Sequence, residues 1–213
     1  MAREQAGSKR RQRADGEVSR KRILDAATEI AAERGYEGTS IGAVSAKCGL
    51  PASSIYWHFT DKDDLIAAVI ERSFTNWLTV WNLPEGLPPR ERLLEIAAGT
   101  ARALLDSPDF LRLGLMLALE RRPVEPRARA MFLEVRQQAF DALAGGLLGL
   151  LPGLTEEQVR QLATYVIAGA DGLFIAKEVG GDSVDLLEML NIHVRAVYDT
   201  AVRMAEENRR EGR

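Results

Sequence analysis

Along most of the chain, apolar residues recur at intervals of three and four, the period of an α-helix with one buried face. No stretch alternates as a strand would. The first such face is Ile23, Ala26, Ala27, Ile30 and Ala31, which predicts a helix from about Ser19 to Arg34 closed by Gly35. Ile41, Val44 and Ala46 mark a short second helix, which the Ser40 hydroxyl can cap. Gly49 stands where the chain must reverse sharply and positive φ is cheap for glycine. Pro51 suits the first position of a third helix reaching about Trp57. A long fourth helix, from Asp61 to about Trp81, follows the stripe Leu65, Ile66, Val69, Ile70, Phe74, Trp77, Leu78 and Trp81. Thr60 reads as its cap, with Asp63 in the reciprocal position of a capping box.

After a Pro/Gly-rich break over 82–89, the same logic predicts five more helices. They run from about Arg90 to Leu105, from the Ser107-Pro108-Asp109 start to Glu120, and from Pro126 to Leu150 with a bend at Gly145-Gly146. Thr155 and Gln158 form a capping box for the eighth, which extends to about Val179, and Ser183 to Glu207 makes the ninth. The helix before Glu120 is apolar almost all round, the pattern of a buried element. The expected fold is all-α, about nine helices, with a small N-terminal helix-turn-helix head and a larger helical body. Helix 4 starts beside the head and would span roughly 30 Å, a mechanical link to that body.

Charge adds an asymmetry that periodicity does not show. The net charge is −3, yet residues 1–22 hold eight Lys/Arg (Arg3, Lys9, Arg10, Arg11, Arg13, Arg20, Lys21, Arg22) against three acids. That end is therefore +5 and the rest −8, as expected if one end meets phosphate. Residues 1–17 are expected to be a disordered basic arm. No apolar run reaches the roughly 18 residues that cross a bilayer. The N-terminus lacks the apolar core of a secretory signal, and the single cysteine, Cys48, excludes an internal disulfide framework. These point to a cytoplasmic protein with no membrane partner.

The chemistry concentrates in residues 39–62, TSIGAVSAKCGLPASSIYWHFTDK. The third helix carries Ser53, Ser54, Tyr56, Trp57 and His58 with no carboxylate, and a helix-turn-helix lays such a helix in a DNA major groove. Tyr56 and Trp57 are adjacent, point about 100° apart, and cannot both be buried on one face. Lys62 sits where its charge opposes the helix dipole, a placement explained by a phosphate opposite. Cys48 reads as a small buried thiol, since no second cysteine is present to resolve an oxidised form. Elsewhere, Phe74, Trp77 and Trp81 form an aromatic stripe that is either packed core or the wall of a pocket with Phe110, Met116, Met131, Phe132, Tyr165 and Phe174. Asp171 interrupts an apolar helix and either meets a ligand or sits at a dimer seam beside Gly169 and Gly172. His193 reads as an ordinary face residue. The two histidines are 135 residues apart, and no metal spacing, phosphate loop or nucleophile elbow is present, so neither catalysis nor a cofactor is expected.

Residues 33–70, with Gly35-Tyr36, the Gly49 turn, Tyr56-Trp57-His58-Phe59 and Lys62, resemble the N-terminal signature of TetR-type transcriptional regulators. The resemblance covers about a quarter of the chain; the rest matches only in length and helix count. It implies a homodimer joined through its two C-terminal helices, bound to double-stranded operator DNA as a repressor and released by a small-molecule effector. Carried onto this sequence, it implies a phosphate contact at Ser40, a groove face at Ala52, Ser53 and Ser54, backbone or base contacts at Tyr56, Trp57 and His58, and phosphate at Lys62. Phe59 would lock the reading helix to the core. Pro51 and Ser53 depart from the family's usual serine or threonine and glycine. The implied division is an arm over 1–17, a DNA-binding domain over 18–64 and a ligand-binding and dimerisation domain over 65–213. Two rivals stand beside this: a DNA-binding protein without an effector site (an activator included), whose aromatic stripe is pure core, and an enzyme on a borrowed fold.

Overall fold

The computed structural model describes residues 2–78, 86–120 and 126–211, with residues 2–14 as backbone alone. Nine α-helices and one single-turn 3-10 segment account for the regular structure among the described residues, and none of them is a strand. Helix α1 is Ala2–Gly38, α2 Ile41–Cys48, α3 Ala52–His58, α4 Lys62–Leu78 and α5 Pro89–Asp106. Helix α6 is Asp109–Leu119, α7 Arg127–Leu150, α8 Glu156–Gly180 and α9 Leu186–Glu211, with the 3-10 turn at Gly181–Ser183 between the last two.

The chain divides into two compact units. One holds residues 1–74 and 109–133, the other 75–108 and 134–213, so the divisions fall inside α4 and α7. In the first unit, α1 packs against α2, α3 and α6. Its core joins Ile23, Leu24, Ala27 and Ile30 of α1 to Val44 and Cys48 of α2, Ile55 of α3, Phe59, and Leu65 and Val69 of α4. A helix-turn-helix is too small to bury its own apolar face, and here α1 and α4 complete it. Phe110 lies between Phe74 and Phe132, with ring centroids 6.2 and 5.9 Å apart. Helix α6 approaches Phe132 so closely at Gly114 that a β-carbon there would collide with the ring. In the second unit α9 packs on α5 and α8. Leu143, Leu147, Val159, Leu162, Ala163, Val197 and Ala201 build a core from α7, α8 and α9.

Several boundaries differ from expectation. Helix α1 begins at Ala2 rather than near Ser19, so the expected disordered arm is its first turns. Arg, Lys, Gln, Ala and Glu fill that stretch with good helix formers and no proline. The helical path is interrupted at Gly35, with φ 67° and ψ −172°. Pro51 is the N-cap of α3 rather than its first residue. The start of α4 is capped one residue late: Asp61 accepts from the Asp64 amide at 2.8 Å, and the Asp64 carboxylate accepts from the Thr60 amide at 2.9 Å. Asp63 is thereby freed for another task. Its carboxylate accepts the Tyr36 hydroxyl at 2.9 Å and the α7 backbone amides of Arg127 and, at 3.2 Å, Ala128. Helix α6 is not buried all round; Met116 and Leu119 are exposed. Helix α7 runs unbroken through Gly145-Gly146. The capping box at Thr155 and Gln158 forms as expected, with both reciprocal bonds present. Trp81, residues 82–85 of the break and the loop at 121–125 lie outside the described residues.

Candidate nucleic-acid interface

Helix α3 is seven residues long and is held from one side. Ile55 is fully buried, and Phe59, the C-cap residue, is 3% exposed. Just before α3, the turn from α2 is fixed by local bonds. The Ser40 hydroxyl caps α2 by accepting from the Ala43 amide at 3.2 Å. Gly49 closes the helix in the left-handed region at φ 66°, where a side chain would be strained. The Ser45 hydroxyl donates to the Leu50 carbonyl at 2.7 Å, bridging the turn. Arg22 of α1 donates to the Cys48 carbonyl at 2.7 Å, answering the negative end of α2. Cys48 is itself buried, as expected of an inert thiol.

With Ile55 turned inward, its neighbours must face out. Tyr56 is 57% and Trp57 71% exposed, so both aromatics that could not share a buried face lie at the surface. Ser53 is exposed, and Ala52, Ser54 and His58 are half-buried. The Trp57 ring stands edge-on to His58, centroids 4.6 Å apart. A shallow groove runs between α3 and α1, lined by Ser53, Ser54, Trp57 and His58 on one side and Asp15, Gly16 and Ser19 on the other. Arg20 lies over the Phe59 ring at 5.4 Å. Burial, with the Arg20 guanidinium nearby, holds His58 below its ordinary value of 6.5, while Glu17 pulls weakly the other way. A neutral imidazole can both donate and accept.

Lys62 has a different placement. Its ammonium group donates to the Tyr36 carbonyl at 3.2 Å, lies 3.5 Å from the Glu37 carboxylate and sits 4.2 Å above the Tyr36 ring. Its charge therefore serves the C-terminal end of α1, which resolves the unfavourable dipole position without a phosphate. Ser53, Ser54, Trp57 and His58 share the groove, Ala52 and Tyr56 lie on the same short helix, Ser40 stands at the start of α2, and Lys62 is tied back to Tyr36 and Glu37. The groove wall supplied by Asp15, Gly16 and Ser19 escaped sequence reasoning.

The expected pocket residues are not gathered around one described cavity. Phe74, Phe110 and Phe132 are packed on each other, Met131 is half-buried beside them in the chain, and Met116 is exposed. Trp77 is half-buried, Phe174 is buried, and Tyr165 is 61% exposed with its ring 5.5 Å from His193. A cavity of about 10 Å³, room for a single water, lies against Val69, Ile70, Phe110 and Leu113. Asp171 forms a bidentate pair with Arg136 of α7, at 3.1 and 2.6 Å. Its carboxylate is thus satisfied within the chain. Among the described residues, no group of three or more His, Cys, Asp or Glu is placed to hold a metal. Nor is any helix long and apolar enough to cross a membrane.

Comparison with known proteins meets this geometry at the same residues. The sequence profile described as "Bacterial regulatory proteins, tetR family" matches residues 23–69, from the first core residue of α1 to the middle of α4. The HTH-type transcriptional regulator AcrR of Shigella flexneri is 34% identical over 67 residues, covering 32% of this chain and 31% of that protein. The HTH-type transcriptional repressor KstR of Rhodococcus jostii is 32% identical over 89 residues, 42% of each chain. The chain thus spans less than half the length of these curated relatives. Solved structures extend the likeness in fold alone. SmeT, the repressor of the Stenotrophomonas maltophilia multidrug efflux pump SmeDEF, superposes with a TM-score of 0.68 at 19% identity, covering 85% of this chain and 89% of its own. A TetR transcriptional regulator from Legionella pneumophila does so with a TM-score of 0.70 at 21% identity, covering 82% and 94%.

Proposed function

We propose that this chain, whose residues 23–69 are a tetR-family helix-turn-helix head, is a homodimeric transcriptional repressor that a small, mostly apolar effector releases from its operator. The observation that carries the DNA-binding part is the exposed Tyr56-Trp57 pair on a short helix pinned from behind by Ile55 and Phe59. A rigid backing with a polar and aromatic front lets α3 enter a major groove as a unit. In this reading the DNA-binding domain is 18–64, and Ser40, Ala52, Ser53, Ser54, Tyr56, Trp57 and His58 meet DNA. Lys62 holds the start of α4 to the end of α1 and reaches phosphate only by leaving Tyr36 and Glu37.

The remainder, 65–213, dimerises and receives the effector. Helix α8 leaves Tyr165, Ala168, Gly172, Ile175 and Val179 exposed at alternating intervals of three and four, and α9 exposes Leu187 and Ile192. A second copy would cover that apolar stripe. An effector acting at Phe74, Phe110 and Phe132 must part packed rings, and its binding energy would be felt along α4. It shifts the equilibrium only by its differential affinity for the two states.

Selection of bound duplexes from a random pool tests the core of the proposal. The expected product is a two-fold symmetric site whose half-sites lie about 10 base pairs apart or at a related spacing, bound with steep salt dependence. No enrichment, or a flat salt response, overturns it. The packing of Phe110 against both Phe74 and Phe132 favours a second reading in which the body is only a dimerisation core. A thermal-shift screen separates the two. An effector at a hundredfold excess over its Kd stabilises the protein by about 2.7 kcal/mol, and no response to any apolar or aromatic metabolite favours the second reading.

A further inference from the structure

Helix α1 does not stop at the head it helps to build. It continues from Ile23, its first core residue, back to Ala2 without a break. Residues 2–14 contain Arg3, Lys9, Arg10, Arg11 and Arg13 against the single acid Glu4. Intervals of seven and three separate Arg3, Arg10 and Arg13, the spacing that gathers residues on one side of a helix. The rest of the chain is acidic enough to turn this into a net charge of −3. The extension also leaves the molecule at a defined place. A β-carbon on Gly16 would lie 3.6 Å from the Trp57 ring, and Asp15, Gly16 and Ser19 share a groove with Ser53, Ser54, Trp57 and His58. The basic segment therefore begins beside the exposed front of α3.

We propose that residues 2–14 are a second DNA-contacting element, a basic helical arm that takes duplex phosphates beside the groove occupied by α3. This rests on the DNA-binding reading above and adds a site to it. Charge complementarity selects the occupant: a polyanion with closely spaced phosphates, continuous with the duplex that α3 already faces. Thirteen helical residues extend about 20 Å, the length of roughly six base pairs. The arm carries no base-reading chemistry of its own. Arginine and lysine on phosphate add affinity and position without sequence information. It would lengthen the protected site and raise affinity about equally on every operator.

The test compares the full chain with a variant carrying Arg3→Gln, Lys9→Gln, Arg10→Gln, Arg11→Gln and Arg13→Gln, on the duplex recovered by selection. Glutamine keeps helix propensity, so the fold is preserved; a chain lacking residues 2–14 serves as a second variant. A control carrying Arg90→Gln and Arg102→Gln removes charge from α5 instead. The expected result is a plot of log affinity against log salt shallower by about 3 to 4 for the arm variants, from about 0.9 per phosphate released. Between 50 and 200 mM salt that is a loss of salt sensitivity of roughly 60- to 250-fold. The nuclease footprint shortens at both edges while the selected half-sites stay the same, and the α5 control matches the full chain. An unchanged slope and footprint in the arm variants, with the full chain still binding its site, overturns this inference alone. A full chain that selects no duplex overturns the proposed function and this inference together. Binding of the full chain to vesicles of phosphatidylglycerol and phosphatidylcholine, lost in the arm variants while their DNA slope is unchanged, overturns it in favour of a membrane surface.

Discussion

Helices α3 and α8 both expose apolar side chains, and they do so for opposite reasons. Helix α3 shows Tyr56 and Trp57 among serines and a histidine, on seven residues that could not stay helical alone. Helix α8 shows Tyr165, Ile175 and Val179 among alanine and glycine, on twenty-five residues with a complete capping box. In the first, the exposed rings have polar neighbours with donors and acceptors, suited to a hydrated, charged partner. In the second, aliphatic and small residues suit close approach by another helix. Exposure alone therefore says little; the company an exposed residue keeps separates a nucleic-acid face from a protein face.

The comparison breaks most visibly where α3 is held. Phe59→Ala should destabilise the protein by about 3–5 kcal/mol, read by chemical denaturation, and abolish operator binding. A loss under 1 kcal/mol would mean that α3 is not anchored by this ring. Removing half of the Arg136–Asp171 pair with Arg136→Ala should cost about 1–3 kcal/mol, because charged, partly buried bonds are lost. Two surface changes then sharpen the contrast. Ile175→Glu should weaken self-association at least tenfold in sedimentation, with monomer stability changed by at most about 0.5 kcal/mol. Trp57→Ala should leave self-association alone and lower operator affinity about tenfold, or about 1.4 kcal/mol. If Trp57→Ala disrupted self-association instead, the two faces would have been assigned the wrong way round.

The smallest effect expected is on pH. The folded state holds His58 below its ordinary 6.5, so the unfolded chain binds the proton more readily. The His58 contribution is fully favourable above the unfolded value and declines as pH falls through 6.5 towards the lowered folded value. Denaturation curves across that window should show stability rising with pH, and His58→Gln should flatten the rise. A fall in stability over the same range would contradict the burial of this ring.

What the sequence made legible was local. Ser40, Gly49, Thr155 and Gln158 act on residues within a few positions, so their identity and spacing announced the helix ends they form. The apolar period likewise predicted the core faces of α1 and α4, but in α2 it named Ala46, which is exposed, in place of part of the face that Cys48 completes. Partners far along the chain were not legible. Lys62 looked misplaced until Tyr36, twenty-six positions earlier, supplied its acceptor. The basic partner of Asp171 could not be picked out either, since Arg136 stands thirty-five positions away. The aromatic stripe was read correctly as apolar, but periodicity gives a direction and not a neighbour. It could not tell that Phe74, Phe110 and Phe132 meet one another. The cap of α4 was missed by one residue because Thr60 and Asp61 are both competent, and only the folded turn chose between them.

Asp63 has a consequence for the order in which this molecule can be made. Its carboxylate collects the Tyr36 hydroxyl and the first amides of α7, and the Arg127 amide lies 64 residues downstream. At a synthesis rate of about 5–20 residues per second, Asp63 leaves the ribosome several seconds before that partner exists. Throughout that interval the nascent head carries a carboxylate whose α7 partners have not been made. A fragment ending after α4 would remain in that condition permanently. The helix-turn-helix is therefore finished by a segment translated long after it, and excising it at its sequence boundary would remove part of its own closure.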